Sequence, residues 1–191
     1  MKKYILNFNR AIRILLVTNA LILLASAMLG PIYAIFVEKI GGDLMDASIA
    51  GFLYAITAGL VTLLTGKFSD KVRHNDKIII IGYTLIGSGF LLYQLVDSVF
   101  SLFAIQALIG LGEAIYSPAF DKLYSKHLDY GKSGAEWGSW ESMNYFTAAF
   151  GAILGGLLVS NFSFSALFYA MAALSFGSGL YLYFLSPRRV L

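Results

Sequence analysis

The strongest constraint on the fold of this chain is a run of 46 consecutive residues, 142–187, without a single charged side chain. An apolar helix needs about 20 residues to cross the hydrocarbon core of a membrane, so this run is too long for one crossing and suits two. The segment 161–163, Asn-Phe-Ser, divides the run. Pro187 is expected to end the second helix, because proline has no N–H to continue the hydrogen-bond ladder.

The composition agrees with a membrane protein. Only 13% of the residues are charged and 58% are hydrophobic, whereas a soluble domain carries about 25% charged residues. The uncharged runs are about twice as long as the strands of a membrane barrel and are apolar on all sides, which favours helices. Cysteine is absent, which excludes a disulfide framework and a thiolate metal site.

Six transmembrane helices are therefore predicted, in one all-α membrane domain that covers residues 1–191. The first contains an uncharged run of 24 residues, longer than the apolar region of about 7–15 residues in a signal peptide. A cleaved signal peptide is the alternative for this segment. The predicted spans, numbered 1 to 6, are 14–37, 47–68, 78–96, 98–120, 139–160 and 164–186.

Lysine and arginine lie almost entirely on one side of the predicted spans. Of the 14 basic residues, only Lys39 falls in an outer loop. Cytoplasmic loops carry such an excess of basic residues, so both termini are predicted to be cytoplasmic. The expected location is the plasma membrane, most simply the cytoplasmic (inner) membrane of a prokaryote. The inner basic residues are Lys2, Lys3, Arg10, Arg13, Lys67, Lys71, Arg73, Lys77, Lys122, Lys126, Lys132, Arg188 and Arg189.

Three short motifs carry a family resemblance. The loop after span 2 contains Gly66, Asp70 and Lys71, and it resembles the signature G-x-x-x-D-[R/K]-x-G-[R/K] of the major facilitator superfamily, with Arg73 in place of the second glycine. A basic turn that happens to contain one aspartate is the alternative. Span 4 reads QALIGLGEA from residue 106, which is similar to R-x-L-x-G-x-G-E/A-A of that family.

The third motif and the departures from the family pattern bear on mechanism. Residues 151–156 of span 5, GAILGG, resemble the G-P-x-x-G-G signature of the family's antiporters, with Ala152 in place of proline. Small residues also favour any membrane helix interface, which is the alternative reading. Gln106 stands where the family usually has an arginine that is often tied to proton coupling. These departures weigh against a standard proton mechanism and an antiporter assignment.

The resemblance covers nearly the whole chain and implies one half of a major facilitator fold, built as two inverted three-helix repeats. It implies a secondary transporter that moves a small solute by alternating access. A parallel homodimer is expected, with span 2 of one copy against span 5 of the other and Asp70 near residues 138–140 of the other copy. The alternatives are an excised half, or a half-transporter subunit or structural partner without transport of its own. The expected packing glycines are Gly51, Gly59, Gly151, Gly155 and Gly156.

Polar residues within the spans are the candidate site residues, because such groups are costly in lipid. Glu113, two turns from the predicted inner end of span 4, shares a helix face with Gln106 and is suited to bind a proton or a cation. A purely structural hydrogen bond is the alternative for Glu113, and exposure at the inner surface is the alternative for Glu141. The predicted cavity residues are Asn19, Tyr33, Gln106, Glu113, Tyr116, Glu141 and Asn144.

An inner gate is predicted from Gly66, Asp70, Lys71, Arg73 and Asp121, with Asp121 paired to Arg73 or Lys71. An exposed pair of little energetic value is the alternative. No Walker loop is present, so the chain has no means to use ATP. Apart from Lys67 at the inner end of span 2, the spans contain no His or Lys, so an enzyme, a metal site and a cofactor are not expected, and neither is a nucleic-acid partner. Proton or sodium coupling and a neutral or weakly charged solute are the expectations.

Overall fold

The computed structural model describes residues 8–185. Within that part, six helical segments are long and apolar enough to cross a membrane, as predicted. Five residues used in the predictions lie outside the described residues. They are Lys2, Lys3, Arg188 and Arg189, which contribute to the predicted orientation, and Pro187, which is expected to end span 6. The spans are Arg10–Lys39, Leu44–Lys71, Asn75–Leu95, Val99–Lys126, Ser133–Asn161 and Phe164–Leu185.

The helices extend beyond the predicted bounds mainly at the ends that carry the basic residues, which are called inner after the predicted orientation. Span 4 continues past residue 120 to Lys126, and span 5 begins at Ser133 rather than at 139. An uncharged run marks only the part of a helix that lies in hydrocarbon, whereas the helix itself continues into the headgroup layer. There, long basic side chains reach water while their stems stay on the helix. Nine of the described basic residues lie at this end of the bundle, and Lys39 lies at the other.

Side-chain caps explain where three of the spans begin. The side chain of Asn9 accepts a hydrogen bond from the Ile12 N–H at the start of span 1, at 2.9 Å. Asp43 and Asp46 form a reciprocal capping box at the start of span 2, and Ser98 and Ser101 form one at the start of span 4. Each cap satisfies N–H groups that have no partner within the helix.

Span 1 is broken, and the break has a local cause. Its main helix ends at Ala27, a 3-10 turn covers Gly30–Ile32, and a second helix covers Tyr33–Lys39. Pro31 lies in this turn, where its missing N–H removes one helical hydrogen bond. Pro118 of span 4, by contrast, lies within a continuous helix.

The contacts between spans follow the inverted repeat. Span 1 packs on spans 5 and 6, span 4 packs on spans 2 and 3, and span 3 packs on span 6. Exchanging each span with the one three positions along the chain reproduces the same set of contacts. Because three crossings separate the exchanged spans, they run in opposite directions through the membrane. The chain is thus an all-α, six-helix membrane domain of two inverted three-helix repeats.

Glycines set the spacing between spans 1 and 5. A Cβ atom built on Gly151 would lie 2.6 Å from the Ala27 side chain, and one built on Gly155 would collide with the Met28 carbonyl oxygen. These two glycines therefore pack inside the chain, which corrects the expectation that they face a second copy. By contrast, Gly51, Gly59, Gly66 and Gly156 face open space, with no atom within 4 Å of the Cβ position.

Candidate functional site

A cavity of about 350 Å³ lies between spans 1, 2 and 4, with spans 3 and 6 contributing to its wall. Its charged and polar lining consists of Ser26, Tyr33, Tyr54, Tyr93, Gln106 and Glu113. Leu29, Phe90, Ile109 and Met171 supply most of its apolar lining. Ser26 and Gly30 at its edge are exposed, so the cavity opens at the side of this chain.

Glu113 lies at the middle of span 4, 14 residues after Val99 and 13 before Lys126. This corrects the predicted position two turns from the inner end, which relied on a span that stopped at residue 120. The carboxylate is half-buried and lies beside the hydroxyl groups of Tyr54 and Tyr116. Both hydroxyls can hydrogen-bond to the carboxyl group in either protonation state.

Gln106 and Tyr33 join spans 4 and 1 at the cavity. The Gln106 side-chain amide donates a hydrogen bond to the Tyr33 hydroxyl at 2.7 Å. Gln106 is buried, whereas Tyr33 remains half-buried at the cavity wall. The structure therefore brings together three of the predicted cavity residues, Tyr33, Gln106 and Glu113.

Two other predicted cavity residues lie deeper in the bundle. Asn19 is only 2% exposed, does not line the cavity, and has its Oδ1 atom 3.5 Å from the Tyr83 hydroxyl. Asn19 and Tyr33 would share a face in one straight helix, but the break after Ala27 separates them. Tyr116 is buried, with its ring 4.8 Å from the Tyr83 ring, and lies beside Glu113 rather than on the cavity wall.

Glu141 and Asn144 do not line this cavity. Glu141 is exposed and Asn144 is half-buried on span 5, a helix that contacts span 1 but not span 2 or span 4 in the main packing pattern. Glu141 and Asn144 share a helix face with Gly151 and Gly155. Within this chain that face turns partly toward span 1.

The inner ends of spans 2 and 4 are joined by a lysine that sequence reasoning missed. The Lys122 ammonium group donates hydrogen bonds to the carbonyl oxygens of Ser69, Asp70 and Val72, at 2.6, 3.2 and 3.4 Å. These carbonyls lie at the C-terminal end of span 2, where the helix dipole favours a cation.

The predicted pairing of Asp121 with Lys71 or Arg73 is wrong. Among the described residues the only ion pair joins Lys132 and Asp129, at 3.1 Å. Asp121 is exposed, because one residue along a helix rotates the side chain by about 100° and only Lys122 faces span 2. Gly66, Asp70, Lys71 and Arg73 lie at the inner end of span 2 and just after it, and the Asp70 side chain is exposed.

A second polar cluster ties the inner ends of spans 1, 4 and 5. Asn9 donates to the His127 carbonyl at 2.7 Å and to the Asp129 carboxylate at 3.1 Å. Glu136, 1% exposed, accepts a hydrogen bond from the Asp129 N–H at 2.9 Å. The hydrogen bonds from Asn9 and Lys132 lower the pKa of Asp129 below its ordinary value. Glu136 was missed because the sequence around it reads as a loop.

The sequence is similar to those of known membrane transporters. A sequence model of the Major Facilitator Superfamily matches residues 15–190. The chain is 28% identical to an uncharacterized MFS-type transporter, YitZ of Bacillus subtilis, over 82% of this chain and 94% of that protein. It is 25% identical to the multidrug resistance protein MdtG of Proteus mirabilis, over 95% of this chain and 46% of that protein.

The name of a third relative states that its transport is coupled to protons. The chain is 27% identical to the proton-coupled antiporter flippase LtaA of Staphylococcus epidermidis, over 84% of this chain and 41% of that protein. This chain therefore spans nearly all of one relative and less than half of the two others. The match to the family model covers almost all of the sequence, and the chain belongs to the Major Facilitator Superfamily.

Proposed function

We propose that this chain is the repeating half of a secondary transporter, and that two parallel copies enclose a path for a small solute. The observation that carries the proposal is the open cavity around Glu113. A carboxyl group within a membrane span is costly when it faces lipid, so a neighbouring protein surface or water must cover it. The expected mechanism is alternating access, in which the two copies rock about the shared cavity.

The occupant of the open side is proposed to be a second copy of the chain. Spans 2 and 5 are the least buried within the chain, with only Ala50 and Ser69 buried on span 2. Gly51, Gly59 and Gly66 lie seven or eight residues apart on span 2 and face open space, so another helix can approach that face closely. A two-fold pair with both sets of termini on one side of the membrane arranges its two copies like the two halves of a full-length transporter.

Glu113 is the proposed coupling residue. Proton coupling is named for the relative LtaA, and in the part of the chain that the structure describes Glu113 is the only acidic side chain that lines the cavity. Access to each side of the membrane in turn would let this carboxyl take up a proton on one side and release it on the other. Sodium is the alternative coupling ion.

The orientation is proposed from the basic residues. Both termini are assigned to the cytoplasm, because this orientation puts 13 of the 14 basic residues on the cytoplasmic side of the membrane. A tag at either terminus should therefore resist protease added outside intact cells. Digestion of either tag in intact cells would contradict the orientation.

The test of function is a screen in proteoliposomes. Purified protein is reconstituted, and uptake of candidate solutes is measured with and without an imposed pH gradient. The wild-type protein is expected to accumulate at least one solute in response to the gradient. Glu113→Gln is expected to abolish gradient-driven accumulation, because the amide cannot carry a proton.

The control variant is Glu38→Gln, which makes the same chemical change at an exposed carboxyl group at the outer end of span 1. It is expected to transport like the wild type. Normal accumulation by Glu113→Gln at every pH would remove Glu113 from the coupling mechanism. Transport that appears only with a different protein chain present would identify the chain as one subunit of a mixed transporter.

A further inference from the structure

The charge balance of the cavity narrows the class of solute. Among residues 8–185, Glu113 is the only acidic side chain that lines the cavity, and no Lys, Arg or His of that part lines it. The sequence has no basic residue at 14–38, 40–66, 78–121 or 133–185, so the membrane-embedded part of every span lacks one. A second copy would bring another Glu113 and no cation. The protein therefore supplies negative charge to this cavity and nothing to neutralise it.

A buried carboxylate without a counter-charge is strongly unfavourable. Two species can neutralise it when the cavity is dry: a proton or a positively charged ligand. A ligand that carries an anionic group would place two negative charges together in a medium of low dielectric constant. The cavity therefore disfavours phosphates, carboxylates and sulfonates.

The remaining lining suits a particular kind of cation. Four aromatic rings, those of Tyr33, Tyr54, Phe90 and Tyr93, line the same cavity as Glu113. The faces of aromatic rings attract cations, most effectively when the cation is poorly hydrated. A small metal ion would need several oxygen ligands instead, and among the described residues no group of three or more His, Cys, Asp or Glu is placed to hold one.

We propose that the cavity binds an organic monocation with apolar substituents, with its positive centre at Glu113 and its substituents against the aromatic rings. This inference rests on the proposed transport function, because it names the class of solute that the same cavity would carry. It revises the expectation of a neutral or weakly charged solute, which was made without knowing that four aromatic rings line the same cavity as the carboxyl group. The volume of about 350 Å³ lies within the range of about 300–1,000 Å³ typical of small-molecule pockets.

The test uses two probes that have nearly the same size and shape and opposite charge, tetraphenylphosphonium and tetraphenylborate. Equilibrium binding of each is measured on the purified full chain in detergent, after subtraction of the amount bound by protein-free micelles. Saturable binding of tetraphenylphosphonium, with tetraphenylborate bound at least about tenfold more weakly, is the expected result. Equal binding of the two probes would overturn the proposal.

Three variants assign the binding to the cavity. Glu113→Gln should weaken binding of tetraphenylphosphonium at least about tenfold, because it removes the only lining charge. Tyr54→Leu should weaken it about 2- to 30-fold, and Tyr54→Phe should weaken it less, because the ring remains. Tyr183→Leu replaces an exposed ring on span 6 outside this cavity and should bind like the wild type. Each variant is compared with the wild type at matched size-exclusion profiles.

The outcomes separate this inference from the proposed function. If the protein accumulates some other solute but shows no preference for tetraphenylphosphonium, the cation site is wrong and transport stands. If tetraphenylphosphonium binds through Glu113 but no solute is moved in proteoliposomes, the site stands and the transport function is wrong. Binding that is unchanged in Glu113→Gln overturns the site, whichever solute is carried.

Discussion

The closest approach between spans 1 and 5 provides a sharp test of the packing. Gly155 lies against the break in span 1, where a Cβ atom would overlap the Met28 carbonyl oxygen and would also lie 3.0 Å from the Met28 Cα atom. Both atoms belong to the backbone, so no side-chain rotation relieves the contact. Gly155→Ala must push the two helices apart or distort the turn, and overpacking of this kind costs about 1–3 kcal/mol.

The neighbouring Gly156 offers a matched control, because no atom lies within 4 Å of its Cβ position. Gly156→Ala should be neutral or stabilising, since alanine favours a helix over glycine by up to about 1 kcal/mol. The apparent melting temperature of each variant is measured in one detergent at one heating rate, because membrane proteins often unfold irreversibly. Gly155→Ala should melt several degrees below Gly156→Ala, and equal melting temperatures would refute the contact between spans 1 and 5.

Three further predictions concern hydrogen bonds between spans, each measured as the change in apparent melting temperature. Lys122→Met removes three hydrogen bonds to the end of span 2 and should lower the stability by about 1.5–3 kcal/mol. The control Lys126→Met, at an exposed position, should lower it little. Equal losses of stability in the two variants would contradict the role of Lys122. Thr65→Val removes a bond from span 2 to the Ala114 carbonyl of span 4 and should cost about 0.6 kcal/mol, while Thr84→Val, whose hydroxyl bonds only within its own helix, is the control and should cost less. Asn9→Ala removes the cap of span 1 and should cost about 0.5–2 kcal/mol at pH 7. Because Asn9 lowers the pKa of Asp129 in the folded state, its stabilising contribution through Asp129 is present above the ordinary pKa of about 3.9 and is lost as the pH falls below that value. The difference between the wild type and Asn9→Ala should therefore narrow between about pH 5 and pH 3, and a difference that widens there would contradict the assignment.

The six spans were predictable because charge and length alone decide whether a segment can cross a membrane. The same rule failed at the inner ends, where charged helices such as the first turns of span 5 continue into the headgroup layer. Glu136 was missed for this reason. Its neighbours, with glycines and charges, read as a loop, yet the residue is buried between the ends of spans 4 and 5.

The cavity was predictable only where a residue stood out chemically from its span. Glu113, Gln106 and Tyr33 were predicted because polar groups are costly in lipid and usually face protein or water. Tyr54, Phe90, Tyr93 and Met171 also line the cavity, but aromatic and apolar side chains are equally suited to face lipid, so the sequence carries no signal for them. Asn19 was misplaced because the break in span 1 changes which residues share a face, and one proline does not predict whether a helix bends, as Pro118 shows.

The most direct measurement of the central claim is cross-linking of two copies in the membrane, for which the absence of cysteine gives a clean background. Gly66 lies five residues before the inner end of span 2, and Gly138 lies five residues after the inner start of span 5, both facing open space. Differently tagged copies carrying Gly66→Cys and Gly138→Cys are expressed together and oxidised. We expect a mixed disulfide-linked pair. Gly177→Cys on span 6, which also faces open space, should give no such pair with Gly66→Cys. Absence of the Gly66–Gly138 link, or an equally strong link from span 6, would contradict a parallel pair of halves around the Glu113 cavity.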